Sequence, residues 1–175
     1  MKKLTLFLFV ATSFQLFATE KDIYNQIIKN YKKTKTSISK KYAKKLSKVI
    51  NKYCLKHDIP CNIFAGILMQ ESRYKVNAKR CSRKKKLIGI NNRYYWGKRC
   101  YDFGIGQIWS KTAKHYKFNI NKLLTDLDYS VMASAIVLSD FKKWYGKKEK
   151  HWYTRYNASN KKKRQIYYKH IKRFF

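Results

Sequence analysis

The chain has 175 residues, a length for one domain or for one domain with an appendage, and its 42 Lys and Arg against 9 Asp and Glu give a formal charge of +33. With 45% apolar and 17% aromatic residues it can bury a real core, which excludes wholesale disorder despite the charge. Six Gly and one Pro exclude a collagen-like or linker-dominated chain.

Met1-Lys2-Lys3, the apolar run from Leu4 to Ala11 and the small residue Ala18 predict a secretory leader over residues 1–18, removed on export to the periplasm or the exterior. The run falls short of the ~20 residues that a span needs, so no stable membrane span is expected once the leader is cut; an uncleaved anchor helix is the alternative. Cleavage removes two lysines and leaves a charge of +31. Residues 19–38 follow as a basic N-terminal extension, and residues 39–175 as the domain proper.

Within that domain Ile38, Tyr42, Leu46, Val49, Ile50, Tyr53 and Cys54 recur at helical spacing and stop near His57-Asp58. Pro60 then sits where a new helix begins, with Asp58 as its expected cap, and that helix carries Ile63, Phe64, Ile67 and Leu68. A basic, Asn- and Gly-containing loop is expected up to about residue 101. Asp126 and Asp128 open a long apolar helix through Val131 and Ile136 to Leu138, closed by Lys142, Lys143 and Gly146. Two basic-aromatic helices, around 149–158 and 162–173, complete a fold class read as all-α.

Charge is distributed in blocks. Residues 19–57, 75–100 and 142–175 carry +10, +10 and +12, whereas Tyr101 to Phe141 balances four Lys with four Asp. Three basic shells around an apolar centre suit a surface that meets an anionic polymer. Nucleic acid is not the expected partner, because the leader directs the chain out of the cell and no nucleic-acid-binding motif is present.

Export also makes the cysteines legible. Cys54, Cys61, Cys81 and Cys100 form an even set for which two disulfides are the default. Three connectivities are possible; Cys54–Cys61 with Cys81–Cys100 is favoured, since each closes a local loop, the second around a basic insert. A zinc site is the weaker rival, for want of a close C-x-x-C pair.

Three segments carry candidate chemistry. Glu71 continues the series Ile63, Ile67 at intervals of four, so its carboxyl extends the apolar stripe of the helix. Partial desolvation there would raise its pKa and suit a general acid; the plain alternative is a helix-end Glu turned to solvent or paired with Arg73. In Asp102-Phe103-Gly104-Ile105-Gly106-Gln107-Ile108, the glycines Gly104 and Gly106 permit close backbone approach to a ligand, and Gln107 can donate to and accept from an acetamido group, although a glycine pair before a helix is more often a turn. Tyr156 and Asn157, in the third segment, offer a phenol and an amide to a groove, with core packing as the plain alternative for Tyr156.

Together, and in this order, these segments resemble the lysozyme-like lytic transglycosylases that cleave the glycan strands of bacterial peptidoglycan. Gln70-Glu71-Ser72 is similar to their Glu-Ser motif, Gly104-Ile105-Gly106-Gln107-Ile108 to Gly-Leu-Met-Gln-Ile, and Arg155-Tyr156-Asn157-Ala158-Ser159 to Ala-Tyr-Asn-Ala-Gly. The resemblance spans roughly residues 39–175 and implies a lysozyme-like helical domain bearing a disulfide-clipped basic insert, with no cofactor and no metal. It makes Glu71 the catalytic acid and then base, with a 1,6-anhydromuramyl product. Ser72, Gln107 and Asn157 would bind sugar, Tyr156 would also orient Glu71, and Asp102 would be structural, accepting backbone N–H bonds at the Gly104 turn. Asp102 and the small size resemble the specialised members that open the wall for secretion or conjugation machines.

Three positions depart from the pattern. Arg73 stands where Gly usually follows Glu-Ser, Gly106 where Met is usual, and Ser159 where the last Gly is usual. On this reading Arg73 would pair with Glu71 and depress its pKa, and Gly106 would remove an apolar surface from the groove. Two rival functions therefore stay open: a noncatalytic wall-binding protein on the same scaffold, and a lysozyme-type hydrolase using both Glu71 and Asp102.

Overall fold

The computed structural model describes residues 18–82, 85–88, 94–97 and 100–175. The predicted leader, Ala18 apart, and part of the basic insert lie outside the described residues.

Helix α1 (Glu20–Lys33) starts at a capping box: Thr19 Oγ1 accepts from the Asp22 amide at 3.2 Å, and Asp22 Oδ2 accepts from the Thr19 amide at 2.8 Å. Its buried residues Ile23, Ile27 and Tyr31 advance by four and join the same core as the helices that follow. Gln26 and Asn30 also donate to the Phe174 carbonyl, at 2.6 and 3.2 Å, tying the chain's last turn to its first helix. Residues 19–38, expected as an extension, thus pack as part of the body.

Helix α2 (Lys40–Lys56) is capped by Ser39 and buries Leu46, Ile50 and Tyr53 on one face. A left-handed Asp58 (φ 49°) reverses the chain, and α3 (Cys61–Ser72) begins with Pro60 as its cap residue. Asp58 does not cap α3 as expected; its carboxylate accepts from Lys142 Nζ at 2.8 Å. The Cys54–Cys61 disulfide joins the end of α2 to the start of α3, and α3 runs through the core with Phe64, Ile67 and Leu68 fully buried.

The segment expected as loop is partly strand. β1 (Lys79–Cys81), β4 (Cys100–Phe103) and β5 (Ile108–Trp109) form a small antiparallel sheet in the order β1-β4-β5, while β2 (Lys85–Ile88) pairs with β3 (Tyr94–Gly97) as a separate two-stranded ribbon. The second disulfide, Cys81–Cys100, bonds β1 to β4. These strands escape a reading by alternation because segments of two to four residues are too short to give a period-two apolar signal.

Two six-residue helices, α4 (Ser110–His115) and α5 (Ile120–Thr125), lead into the long α6 (Leu127–Tyr145). The Asp126 side chain caps α6 by accepting from the Tyr129 amide at 3.1 Å, in accord with the sequence. Residues 149–158, expected as an α-helix, hold a 3-10 turn, Trp152–Tyr156, before α7 (Lys161–Ile171) and a last 3-10 turn, Lys172–Phe174. The fold is thus mainly helical, as the sequence suggested, with a small three-stranded sheet and a two-stranded ribbon beside the helices. Among the described residues no helix is long and apolar enough to cross a membrane.

Candidate active site

Glu71 sits in the last turn of α3, on the stripe begun by Ile63 and Ile67. Past it the helix stops abruptly, since Arg73 (φ 53°) and Tyr74 (φ 60°) both take left-handed backbone. Two such residues in succession cost about 1–2 kcal/mol each, a strain that fixed contacts must offset. Tyr31 on α1 donates to the Arg73 carbonyl at 2.8 Å, Tyr42 on α2 donates to the Tyr74 carbonyl at 2.7 Å, and the Tyr74 ring is fully buried. The left-handed conformation explains why a Gly suits the position after Glu-Ser. It also turns Arg73 outward: its side chain is exposed, and the cation beside Glu71 is Arg80, so the expected Arg73–Glu71 pair is not formed.

The Glu71 carboxyl is enclosed by groups from four parts of the chain. Tyr167 on α7 donates to Oε1 at 2.6 Å, the Asn157 side chain is near enough to favour the carboxylate, and Arg80 and Asp102 act on it through space. Burial is the largest influence and outweighs the stabilising donors and the cation, so the Glu71 pKa lies above the ordinary carboxylate range. Sequence reasoning does not find Tyr167. The part expected of Tyr156, holding Glu71, falls to Tyr167, because the Tyr156 hydroxyl donates to the Gly106 carbonyl at 2.8 Å.

The glycine segment forms the tight turn between β4 and β5. Gly104 adopts φ 78°, its amide donates to the Ala78 carbonyl at 2.8 Å, and a Cβ there would run into Ser130 and the Leu123 carbonyl. At Gly106 a Cβ would meet the Ser134 and Tyr156 hydroxyls. The bare backbone at Gly106 is therefore what lets the turn pack on α6, and the expectation that it strips apolar surface from the groove does not hold. Ile105 is fully buried, and its amide donates to Ser130 Oγ at 3.0 Å. Gln107 Nε2 donates to the Ala78 and Gly104 carbonyls at 3.1 and 3.0 Å, which fastens the turn to the segment after α3.

Asp102 is 4% exposed and faces Arg80 across the β1–β4 register. Arg80 Nε donates to Asp102 Oδ2 at 2.5 Å, the contact taken in place of the backbone amides expected at the Gly104 turn. Ser72 is not brought to the site: it is buried, and its hydroxyl donates back to the Leu68 carbonyl at 3.3 Å. Glu149 is clamped by Arg155 and Arg164, the latter at 2.6 Å.

These groups share one cleft of about 820 Å³ whose wall includes Glu71, Asp102, Gln107, Tyr156 and Asn157. Trp109 and Trp144, 47% and 55% exposed, also line it and supply flat faces of the kind that sugar rings stack on; neither stands out in the sequence. A half-buried carboxylic acid in a long open cleft with aromatic walls can protonate the leaving oxygen of a glycosidic bond.

In comparison with known proteins, residues 48–173 match the family model described as the transglycosylase SLT domain. No curated protein and no solved structure matches the chain.

Proposed function

From the premise that this chain belongs to the transglycosylase SLT domain family, and so is a peptidoglycan lytic transglycosylase, we propose that Glu71 performs both proton transfers. In the first, protonated Glu71 gives its proton to the glycosidic oxygen as the bond to muramyl C1 breaks. In the second, the resulting carboxylate takes the proton of the muramyl 6-hydroxyl while that oxygen bonds to C1. The ring closes as a 1,6-anhydro sugar, Glu71 is again protonated, and no water is consumed.

The observation that carries this reading is the contrast between the two carboxyls in the cleft. Burial raises the Glu71 pKa and so favours its proton-carrying form, with Tyr167 and the nearby Asn157 side chain favouring the carboxylate once the proton has left. Asp102 is buried and bonded to Arg80, an arrangement that suits a fixed countercharge better than a nucleophile or a base for water. The departures at Arg73 and Gly106 leave Glu71 unpaired by Arg73 and the turn well packed, which favours an active enzyme over a wall-binding protein on the same scaffold. Gln107 and Asn157, which line the cleft, are read as sugar-binding.

Two disulfides and a peptidoglycan substrate fit an exported protein, and the predicted leader supplies the route. Asp102 ahead of the glycines and the small size point, on this reading, to the members that serve secretion or conjugation machines. The test is mass spectrometry of digests of purified peptidoglycan. Anhydromuropeptides, lighter than hydrolysed ones by two hydrogens and one oxygen, are expected from the wild type and from Asp102→Asn at reduced rate, and none from Glu71→Gln. Reducing-end products lost equally in both variants would identify a hydrolase, and full activity in Glu71→Gln would refute the assignment.

A further inference from the structure

Arg80 is placed differently from the many cations on this surface. It lies in β1 directly opposite Asp102, and its Nε donates to a carboxylate that is 4% exposed. The rest of its side chain is 71% exposed and lines the same cleft as Glu71. A guanidinium carries five N–H donors in a planar fork. One donor held from behind by a buried acid fixes the plane and lets the terminal nitrogens meet a ligand in the cleft. Among the described residues Asp102 is the ion-pair partner of Arg80, and Arg80 is the cation whose field reaches Glu71.

An ordered guanidinium beside the reacting centre recognises a planar oxyanion in a two-pronged manner that a lysine ammonium cannot match. Glycan sugars of peptidoglycan offer hydroxyls and acetamido groups, whereas the peptide hanging from the muramyl residue offers carboxylates next to the bond that is cut. Resting on the transglycosylase reading above, we propose that Arg80 is a specificity-determining residue that binds a carboxylate of the stem peptide, so that the enzyme favours peptide-bearing over denuded glycan.

The experiment compares kcat/KM on two probes, purified peptidoglycan glycan strands with their stem peptides and the same strands stripped by an amidase. The amidase removes the peptide carboxylates, exposes one lactyl carboxylate on each muramyl residue it strips and leaves any attached phosphate polymer, so the comparison sets the peptide's own carboxylates against charge held at the sugar or on phosphate. For the wild type a preference of about tenfold for the peptide-bearing strand is expected, the usual scale of one charge-assisted contact. Arg80→Gln alone would strand the buried Asp102 charge, so the decisive variant is Arg80→Gln/Asp102→Asn, in which the ratio should fall to near one whatever the absolute rate. Arg80→Lys, which keeps the charge opposite Asp102 but has no fork, should show an intermediate ratio and guards against misfolding of the double variant. A wild-type ratio near one, a ratio preserved in the double variant, or a full ratio in Arg80→Lys would overturn the proposal. Absence of cleavage of either strand by the wild type would instead overturn the reading on which it rests.

Discussion

Replacing Tyr167 with Phe isolates the contact on which the proton chemistry depends. The ring is 5% exposed and stays, so packing changes little; what disappears is the hydroxyl that donates to Glu71 Oε1 at 2.6 Å. A hydrogen bond to a charged group is worth about 1.5–3 kcal/mol net, and since the Asn157 side chain remains nearby to favour the carboxylate the low end applies, about tenfold in rate. The sign on pH follows from which form the hydroxyl favours. It stabilises the carboxylate and so holds Glu71 below the pKa that burial alone would set; without it the pKa rises. Because the first step uses protonated Glu71, the alkaline limb of the rate profile should move to higher pH while the maximal rate falls. Tyr167 itself is pushed well above the ordinary phenol range by burial beside Glu71, so it remains a donor throughout. Initial rates of turbidity loss on purified peptidoglycan, from roughly pH 4 to 9, check both effects. Tyr156→Phe is the control: it leaves the Gly106 carbonyl without its donor and should lower unfolding stability by about 1 kcal/mol with the limb unmoved. A Tyr167→Phe profile that superimposes on the wild type, or a limb moved by Tyr156→Phe, would refute the argument.

Glu71→Gln should unfold at a higher temperature than the wild type at neutral pH. A carboxyl whose folded pKa is raised costs the native state stability as pH climbs from the ordinary Glu value through the folded one, so the gain should be present at neutral pH and vanish in acid, as thermal melts across pH would show. Gly106→Ala should lose about 1–3 kcal/mol in chemical denaturation and most of its activity, because the added methyl displaces Ser134 or the Tyr156 hydroxyl; an unchanged midpoint would contradict the packing described. Mild reduction followed by alkylation should label Cys81 and Cys100, which are half-buried, before Cys54 and Cys61, which are 0% and 2% exposed. Peptide mapping reads the order, and simultaneous labelling would count against it.

What the sequence could and could not show follows from the range of each signal. Helices α2, α3 and α6 are legible because each keeps an apolar stripe for three turns or more and begins on a recognisable residue, Ser39, Pro60 or Asp126. The disulfide pairing is legible because each bridge closes a short local loop. α1 reads as an extension although Ile23, Ile27 and Tyr31 advance by four, since its four lysines among fourteen residues and its approach to the C-terminal turn mask a face that only tertiary packing completes. Strands β1, β4 and β5 are too short to show a period, and the register that sets Arg80 opposite Asp102 is a long-range property.

The site divides in the same way. Glu71 stands out because its position is a local fact, one more step along a stripe, whereas the hydroxyl partner expected in Tyr156 is Tyr167. Tyr167 and Tyr168 are neighbours on α7, and nothing local says which ring faces α3; docking turns the first to Glu71 and stacks the second on His151 at 4.2 Å. The charge balance of the cleft is a further case of distance deciding chemistry. In a chain of +33 the surrounding field favours an ionised Glu71, though salt confines that field to roughly 8–10 Å. The cation whose charge acts on Glu71 is Arg80, and the structure sets a buried Asp102 against it. Asp102 thereby offsets part of the charge effect by which Arg80 depresses the Glu71 pKa and helps burial to prevail, a role for the second carboxyl that needs neither nucleophile nor water.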